Sequence, residues 1–341
     1  MNKQIQSVEM LRGIASFMVL LYHVTNSPVY LPANSALPIA GRWGWTGVEI
    51  FFILSGFVIP YAMYAKGYIL RDFPVFFKKR IIRIEPPYLL SIVLVLALNY
   101  VSTLSPYYRG AHFSIDWLNV LGHVAYLNVF TGGTWLSPVY WSLAIEFQYY
   151  LIIALAFTWV SSPNRIHRLV FYGLFAGSAF LIGGSGSFIF TFSAFFLIGI
   201  LLFQYFSGII GRTEFLIMEV VSLGLAAYRF GWVLMGISLA TVLVIRFVRE
   251  APRPLLYLGT ISYSLYLVHV PIGGRIINIS EVLIKNPRMR EVMVLVTIAI
   301  CLVAASVYYR AVEKFFKQAA GAIRYERPAV AKKVVEEPIV S

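Results

Sequence analysis

The sequence predicts an all-α, polytopic membrane protein with about ten transmembrane helices, on three observations. Hydrophobic residues make up 59% of the 341 positions and charged residues only 13%, against about 25% charged in soluble domains. Apolar runs long enough to cross a bilayer recur from end to end, and mean hydropathy is +0.77. Lysine and arginine collect in the connections on one side of those runs, the pattern of positive charge held in the cytoplasm.

The spans are read at 9–26, 45–65, 86–103, 139–160, 167–183, 187–206, 213–229, 231–248, 255–276 and 291–312. The first keeps Glu9 and Arg12 at its mouth and has no small-residue cleavage site, so it reads as a retained helix and not a signal peptide. In the second, Ser55-Gly56 permits close helix contact. Pro271, in the ninth, suits a kink beside His269. An eleventh apolar segment, 117–131, is short and interrupted by Asn119, Gly122, His123 and Asn128.

Charge decides the status of that segment. If it does not span, Arg12, the cations from Lys66 to Arg83, Arg165, Arg168, Arg212, the cluster from Arg246 to Arg253 and the tail from Lys314 all fall on one side. If it does, every later cluster inverts. The expectation is therefore a re-entrant or surface-lying 117–131, with both termini cytoplasmic. Residues 1–316 form one membrane domain, and 317–341 a poorly ordered cytoplasmic tail. Ser105 to His112 and the glycine-rich Gly183 to Ser187 face outward. The tyrosine-bearing first of these reads either as a surface for a sugar or as an interfacial aromatic belt.

Several classes are excluded. Cys301 is the single cysteine, so neither a disulfide framework nor a cysteine metal cluster is indicated. No HExxH, CxxC, phosphate-binding loop or nucleotide-binding glycine pattern occurs, which points away from metals and ATP. The net charge of +13 records topology and not nucleic-acid binding.

The chemistry-bearing positions come in small groups. Arg12 and His23 lie eleven residues apart on one apolar helix, hence on nearly the same face and about 16 Å apart. Ionisable groups in a membrane are costly and are functional candidates by default. The alternative is that Arg12 snorkels to the headgroups and His23 bonds a neighbouring helix. Glu49 reads either as an interfacial carboxylate or as the partner of a polar group across the bundle. Ser142 and Glu146, four apart, share a helix face, and a buried Glu146 needs a donor, for which His23 is a candidate. Arg80 and Arg83 project together at the start of the third span. Paired guanidinium groups suit phosphates, and they equally suit a positive-inside anchor on acidic lipid. His269 reads as structural or functional; His112, His123 and His167 are expected at or near surfaces.

Together these stretches resemble acyltransferase family 3. The resemblance rests on Arg12 with His23, Gly47 to Phe57, Arg80 with Arg83, Trp141 to Tyr150, Ser262 to Pro271 and Tyr309 to Glu313, in that order. It implies a multi-pass protein of the cell inner (plasma) membrane. Its activity would move an acyl group, usually acetyl from acetyl-CoA, to a hydroxyl of an extracytoplasmic glycan or glycolipid, as in O-acetylation of exopolysaccharide or lipopolysaccharide. It implies His23 as general base, with Glu146 or Glu49 fixing its tautomer. Arg12, Arg80 and Arg83 would hold the CoA donor, and Trp141, Ser142, Tyr149 and His269 the substrate. No metal is implied. Membrane lipid is the expected surrounding, no nucleic-acid partner is expected, and oligomeric state is open. The rival readings are a transporter or flippase for a glycan intermediate and a non-catalytic sensor or assembly subunit.

Overall fold

A computed structural model describes residues 3–26, 30–108, 112–181 and 188–325. Gly183 to Ser187 and the part of the expected tail from 326 onward lie outside the described residues. All described secondary structure is helical. In chain order the helices are α1 (Lys3–Thr25), α2 (Ala36–Gly41), α3 (Gly47–Ala65), α4 (Phe73–Thr103) and α5 (Trp117–Val124). Next come α6 (Asn128–Thr131), α7 (Tyr140–Val160), α8 (Arg165–Leu181), α9 (Ser193–Phe206) and α10 (Arg212–Phe230). The last are α11 (Trp232–Phe247), α12 (Arg253–Thr260), α13 (Ser262–Leu283), α14 (Pro287–Tyr308) and α15 (Lys314–Ala322). The final turns of α15 occupy 317–322, so the first part of the expected tail is ordered helix.

Six helical stretches among the described residues are long and apolar enough to cross a membrane: Gln6–Thr25, Ala36–Ala65, Leu70–Thr103, Tyr140–Val160, Ile189–Phe206 and Pro287–Ala322. The pair α12 and α13, bent by 70°, is apolar enough for a seventh when the two are taken as one broken span. Of the ten expected spans, three fall short of this standard. α8 has 17 residues and α11 has 16, while α10 carries Arg212, Glu214, Glu219 and Arg229. Yet α10 turns Ile217, Val220, Val221 and Tyr228 outward and buries Glu219 and Ser222. That is the reverse of a water-facing helix, and it is the arrangement lipid demands. The sharp bend falls at Ile261, between α12 and α13, while α13 continues through Pro271 as one helix.

The chain packs into two units. The first comprises Met1–Val48, Arg80–Ala144 and Glu250–Ala320. Its central helix is α1, which packs on α2, α12, α13 and α14. Val8, Leu11, Ala15, Val19 and Leu20 recur at helical spacing on its buried face. Two glycines let α1 and α12 meet backbone to backbone. A Cβ on Gly13 would sit 2.7 Å from the Gly259 nitrogen, and one on Gly259 would sit 1.9 Å from the Glu9 carbonyl oxygen.

The second unit comprises Glu49–Lys79, Ile145–Arg249 and Gly321–Ser341. Its core is α9, buried at every position from Ser193 to Gln204. The close contact expected at Ser55-Gly56 is with this helix: a Cβ on Gly56 would lie 2.3 Å from the Phe196 carbonyl oxygen, and one on Gly199 would lie 2.1 Å from that of Ile53. Phe196 stacks on Phe52 and Tyr149, with ring centroids 4.9 and 4.4 Å away.

Residues 117–131 do not span. α5 and α6 have eight and four residues, so the longer is about 12 Å, against about 30 Å of hydrocarbon. Between them Tyr126 takes a left-handed backbone, φ 55°, unusual for a side chain of that size. Its ring is buried and stacks on Tyr88 at 5.1 Å. Tyr88 precedes the end of α4 by fifteen residues, about 22 Å along the axis, so the segment folds back beside α4. The polar residues that interrupt its hydropathy are the ones that tie it down. Asn119 Nδ2 donates to the Thr134 carbonyl at 3.0 Å, Asn128 Nδ2 to Asn119 Oδ1 at 3.2 Å, and the Leu136 N–H to His123 Nε2 at 3.0 Å. His123, expected near a surface, is fully buried, with its ring nitrogens paired to the Leu136 N–H and, at 2.8 Å, to the Asn119 carbonyl.

Two outcomes follow from this packing. Gly259→Val places a side chain against the α1 backbone and is expected to destabilise the protein by about 1–3 kcal/mol, read as a lower thermal midpoint in detergent. Burial lowers the His123 pKa below the free value of 6.5, so the opened segment binds more protons than the closed one. Its stability is therefore retained above pH 6.5 and declines as pH falls below it. Hydrogen exchange across 117–136 is expected to accelerate between pH 7 and about pH 5 more than exchange in α9, after correction for intrinsic rates; equal changes in both would refute the role of His123.

Candidate active site

In the first unit α1 and α13 run side by side and bring two histidines together. His23, half-buried near the end of α1, has its ring centroid 5.1 Å from that of His269 in an edge-on arrangement. Its Nδ1 is 2.9 Å from the Val19 carbonyl oxygen. A carbonyl only accepts, so Nδ1 carries the proton and the neutral ring leaves Nε2 with a free lone pair. The same logic applies to His269, whose Nδ1 donates to the Leu265 carbonyl at 2.9 Å. Its Nε2 is then an acceptor and lies 3.4 Å from His23 Nδ1. His23 thus has its tautomer set by the Val19 carbonyl and is supported by a second imidazole. Among the described residues it bonds to no carboxylate.

Next to this pair lies Ser142, in the first turn of α7. Its hydroxyl is 2.6 Å from the Tyr266 hydroxyl and donates to the Val139 carbonyl at 3.0 Å. The Tyr266 ring is 6.0 Å from that of His269, which places the Ser142–Tyr266 hydroxyl pair beside the two histidines. Trp141, the neighbour of Ser142, is half-buried.

The other end of the α1–α13 pair is cationic. Arg12 Nε donates to the Ser262 hydroxyl at 3.3 Å, at the first turn of α13. Lys317 on α15 is close enough to Arg83, Arg12, Glu9 and Glu313 to interact electrostatically with all four. Arg80 lies one turn before Arg83 on α4, both half-buried. This end is braced by Glu313, which closes a π-helical turn at Tyr309–Glu313. Its carboxylate accepts from the Ser264 N–H at 3.1 Å and the Ser264 hydroxyl at 2.5 Å. Ile261, the residue preceding α13, offers no side-chain acceptor, so Glu313 satisfies one of the free N–H groups at the helix start.

Three expected site residues belong to the second unit and have partners there. Glu146 Oε1 accepts from the Ser55 hydroxyl at 2.9 Å. Tyr149 is fully buried, stacked on Phe196, with its hydroxyl 3.5 Å from the Gly56 carbonyl oxygen. Glu49 is 4% exposed, and its Oε2 has no hydrogen-bond partner among the described residues.

Sequence reasoning missed Ser262, Ser264, Tyr266 and Lys317 as site residues and gave Glu313 no role. The serines carry a faint local signal, two hydroxyls at the start of an apolar helix. Lys317 and Glu313 are brought in from the far end of the chain, which no local pattern reports. With Glu313→Ala, α13 loses the acceptor at its start, at an expected cost of about 1–2 kcal/mol. Thermal unfolding of the detergent-solubilised variant checks this.

A family model described as an acyltransferase domain matches residues 5–309. O-acetyltransferase OatA of Staphylococcus aureus is 26% identical over 313 residues, covering 77% of this chain and 49% of the relative. Peptidoglycan O-acetyltransferase OatA of Listeria monocytogenes is 26% identical over 182 residues, 50% of this chain and 27% of the relative. The putative acetyltransferase ORF330 of Acidianus two-tailed virus is 32% identical over 162 residues, 48% of this chain and 41% of that protein. The chain thus spans about half the length, or less, of the curated relatives it matches. No solved structure matches it.

Proposed function

The chain belongs to acyltransferase family 3, and from that premise we propose that it moves an acetyl group from acetyl-CoA to a hydroxyl of a cell-surface glycan. One observation carries the reading. The same two helices, α1 and α13, hold Arg12 against Ser262 at one end and His23 against His269 at the other, about 16 Å apart along α1. A molecule with phosphates at one end and a thioester at the far end of a flexible arm matches that separation. The names of the matched relatives support O-acetyl transfer and a glycan acceptor.

In this reading Arg12, Arg80 and Arg83, with Lys317, hold the donor phosphates at the cytoplasmic mouth, where positive charge is retained. The acceptor hydroxyl gives its proton to Nε2 of His23. Its oxygen bonds to the thioester carbonyl carbon, the carbon–sulfur bond breaks, and the departing CoA sulfur takes the proton from the imidazolium. The Val19 carbonyl holds the ring in the right tautomer, and His269 shares the Nδ1 proton. Glu146 and Glu49 have no step in this scheme. Ser142 and Trp141 line the approach to the histidines. The protein then acts as a multi-pass enzyme of the inner membrane with both termini cytoplasmic.

The test is acetyl transfer by purified protein in lipid nanodiscs, with radiolabelled acetyl-CoA and isolated surface polysaccharide, lipopolysaccharide or peptidoglycan as acceptor. His23→Ala is expected to lower kcat by about 100-fold or more with normal amounts in the membrane; full activity would refute the base. Arg83→Ala is expected to raise KM for acetyl-CoA more than it lowers kcat, and an unchanged KM would refute the phosphate role. Passage of a glycan across liposomes without labelling would favour a flippase instead.

A further inference from the structure

Beyond the histidine pair, on the side away from Arg12, the first unit holds a cavity of about 830 Å³. Its walls come from the ends of α4 and α13, from residues 105–108 and 112–116 and from the fold-back segment. That volume is within the range of small-molecule sites, roughly 300–1,000 Å³. Asn99, Asn119 and Asn278 supply amides to it, and Tyr107 and Tyr108 supply exposed rings. Amides and aromatic faces together suit a saccharide, whose hydroxyls need paired donors and acceptors and whose ring faces are apolar.

Arg275 is the one Lys or Arg among the described lining residues. It follows His269 by six residues, about 9 Å along α13. Its Nη1 donates to the Pro271 carbonyl at 2.9 Å, and its Nη2 donates to Asn99 Oδ1. Both partners are neutral, and Nε is buried without a partner. A guanidinium has five N–H donors, so most of its capacity and all of its charge are unmatched among the described residues. The carboxylate of Asp116 lines the same cavity but is engaged by the Asn119 N–H at 3.1 Å, at the start of α5. A half-buried cation left without a counter-ion in a polar cavity is a recognition element for an anion, and the planar fork of Arg favours a carboxylate.

We propose that this cavity is the acceptor subsite and that it selects a saccharide bearing a carboxylate, a uronic acid or equivalent acidic sugar, through Arg275. This rests on the acetyl-transfer reading for what becomes of the bound saccharide, but not for its binding. The probes are a glucuronate-containing oligosaccharide and its carboxyl-reduced, neutral counterpart, titrated against full-length protein in nanodiscs. The acidic probe is expected to bind at least about ten-fold more tightly. Arg275→Gln is expected to abolish that preference while leaving the neutral probe unaffected. If Arg275→Gln fails to fold, Asn278→Asp serves instead: it alters an exposed position on α13 and adds a repelling charge, so it is expected to weaken the acidic probe more than the neutral one and to erase the preference. Equal binding of the two probes, binding of neither, or an acid preference that survives both substitutions would overturn the proposal. Acid-selective binding without acetyl transfer would overturn the enzymatic reading and leave the subsite standing. Transfer to neutral glycans alone would do the reverse.

Discussion

The contact of α1 with α12 sets the geometry on which the candidate site depends. At Gly13 and Gly259 the two backbones touch with no side chain between them. Any Cβ there would push the helices apart, since real side-chain carbons do not approach other backbones that closely. The close approach also fixes how far α1 slides along α13, which follows α12 after a 70° bend. That register puts Arg12 beside Ser262 and His23 beside His269. A slip of one residue would turn each side chain by about 100° and undo both contacts.

The polar groups around the candidate site are satisfied at short range, as an apolar surrounding requires. Each of the two histidines spends its Nδ1 proton on a carbonyl of its own helix. Glu313 closes the start of α13, and Ser142 pairs with Tyr266. These bonds leave few alternatives for the rings, and they hold the His23 lone pair in a defined direction. The groups that are not neutralised stand out against that background. Among the described residues Arg275 meets only neutral acceptors, and Glu49 keeps one oxygen unpartnered. In a low-dielectric setting such groups are the first place to look for a ligand or a partner.

Much of this was legible along the chain. Each of the ten apolar runs is helical over most of its described residues, because apolar length needs no tertiary information. The fold-back at 117–131 was legible from charge, since only a non-spanning segment keeps the basic clusters together. Arg12 and His23 were legible as a pair because helical geometry alone places them on one face. The role of Glu146 was not. Four-residue spacing correctly identifies its helix neighbours, but its actual partner, Ser55, comes from α3. The stacking of Tyr149 on Phe196 was not legible either, since Phe196 comes from α9. His123 looked superficial because its segment is short and interrupted by polar residues, yet the Asn119 carbonyl and the Leu136 N–H pair with its ring and allow its burial.

By itself the sequence determined the class of protein, the helices, the sidedness expected from positive charge and the two ends of the proposed reaction path. These are properties of local composition and of helix periodicity, both set by residues within a few turns of each other. Only the tertiary structure decided which side chains meet: Ser262 with Arg12, His269 with His23, Glu313 with Ser264, and Arg275 with no acid among the described residues. Those pairings join residues up to about 250 positions apart. They depend on which helix faces touch, and that is governed by close-packing of side chains and backbone, not by any pattern read along a single helix.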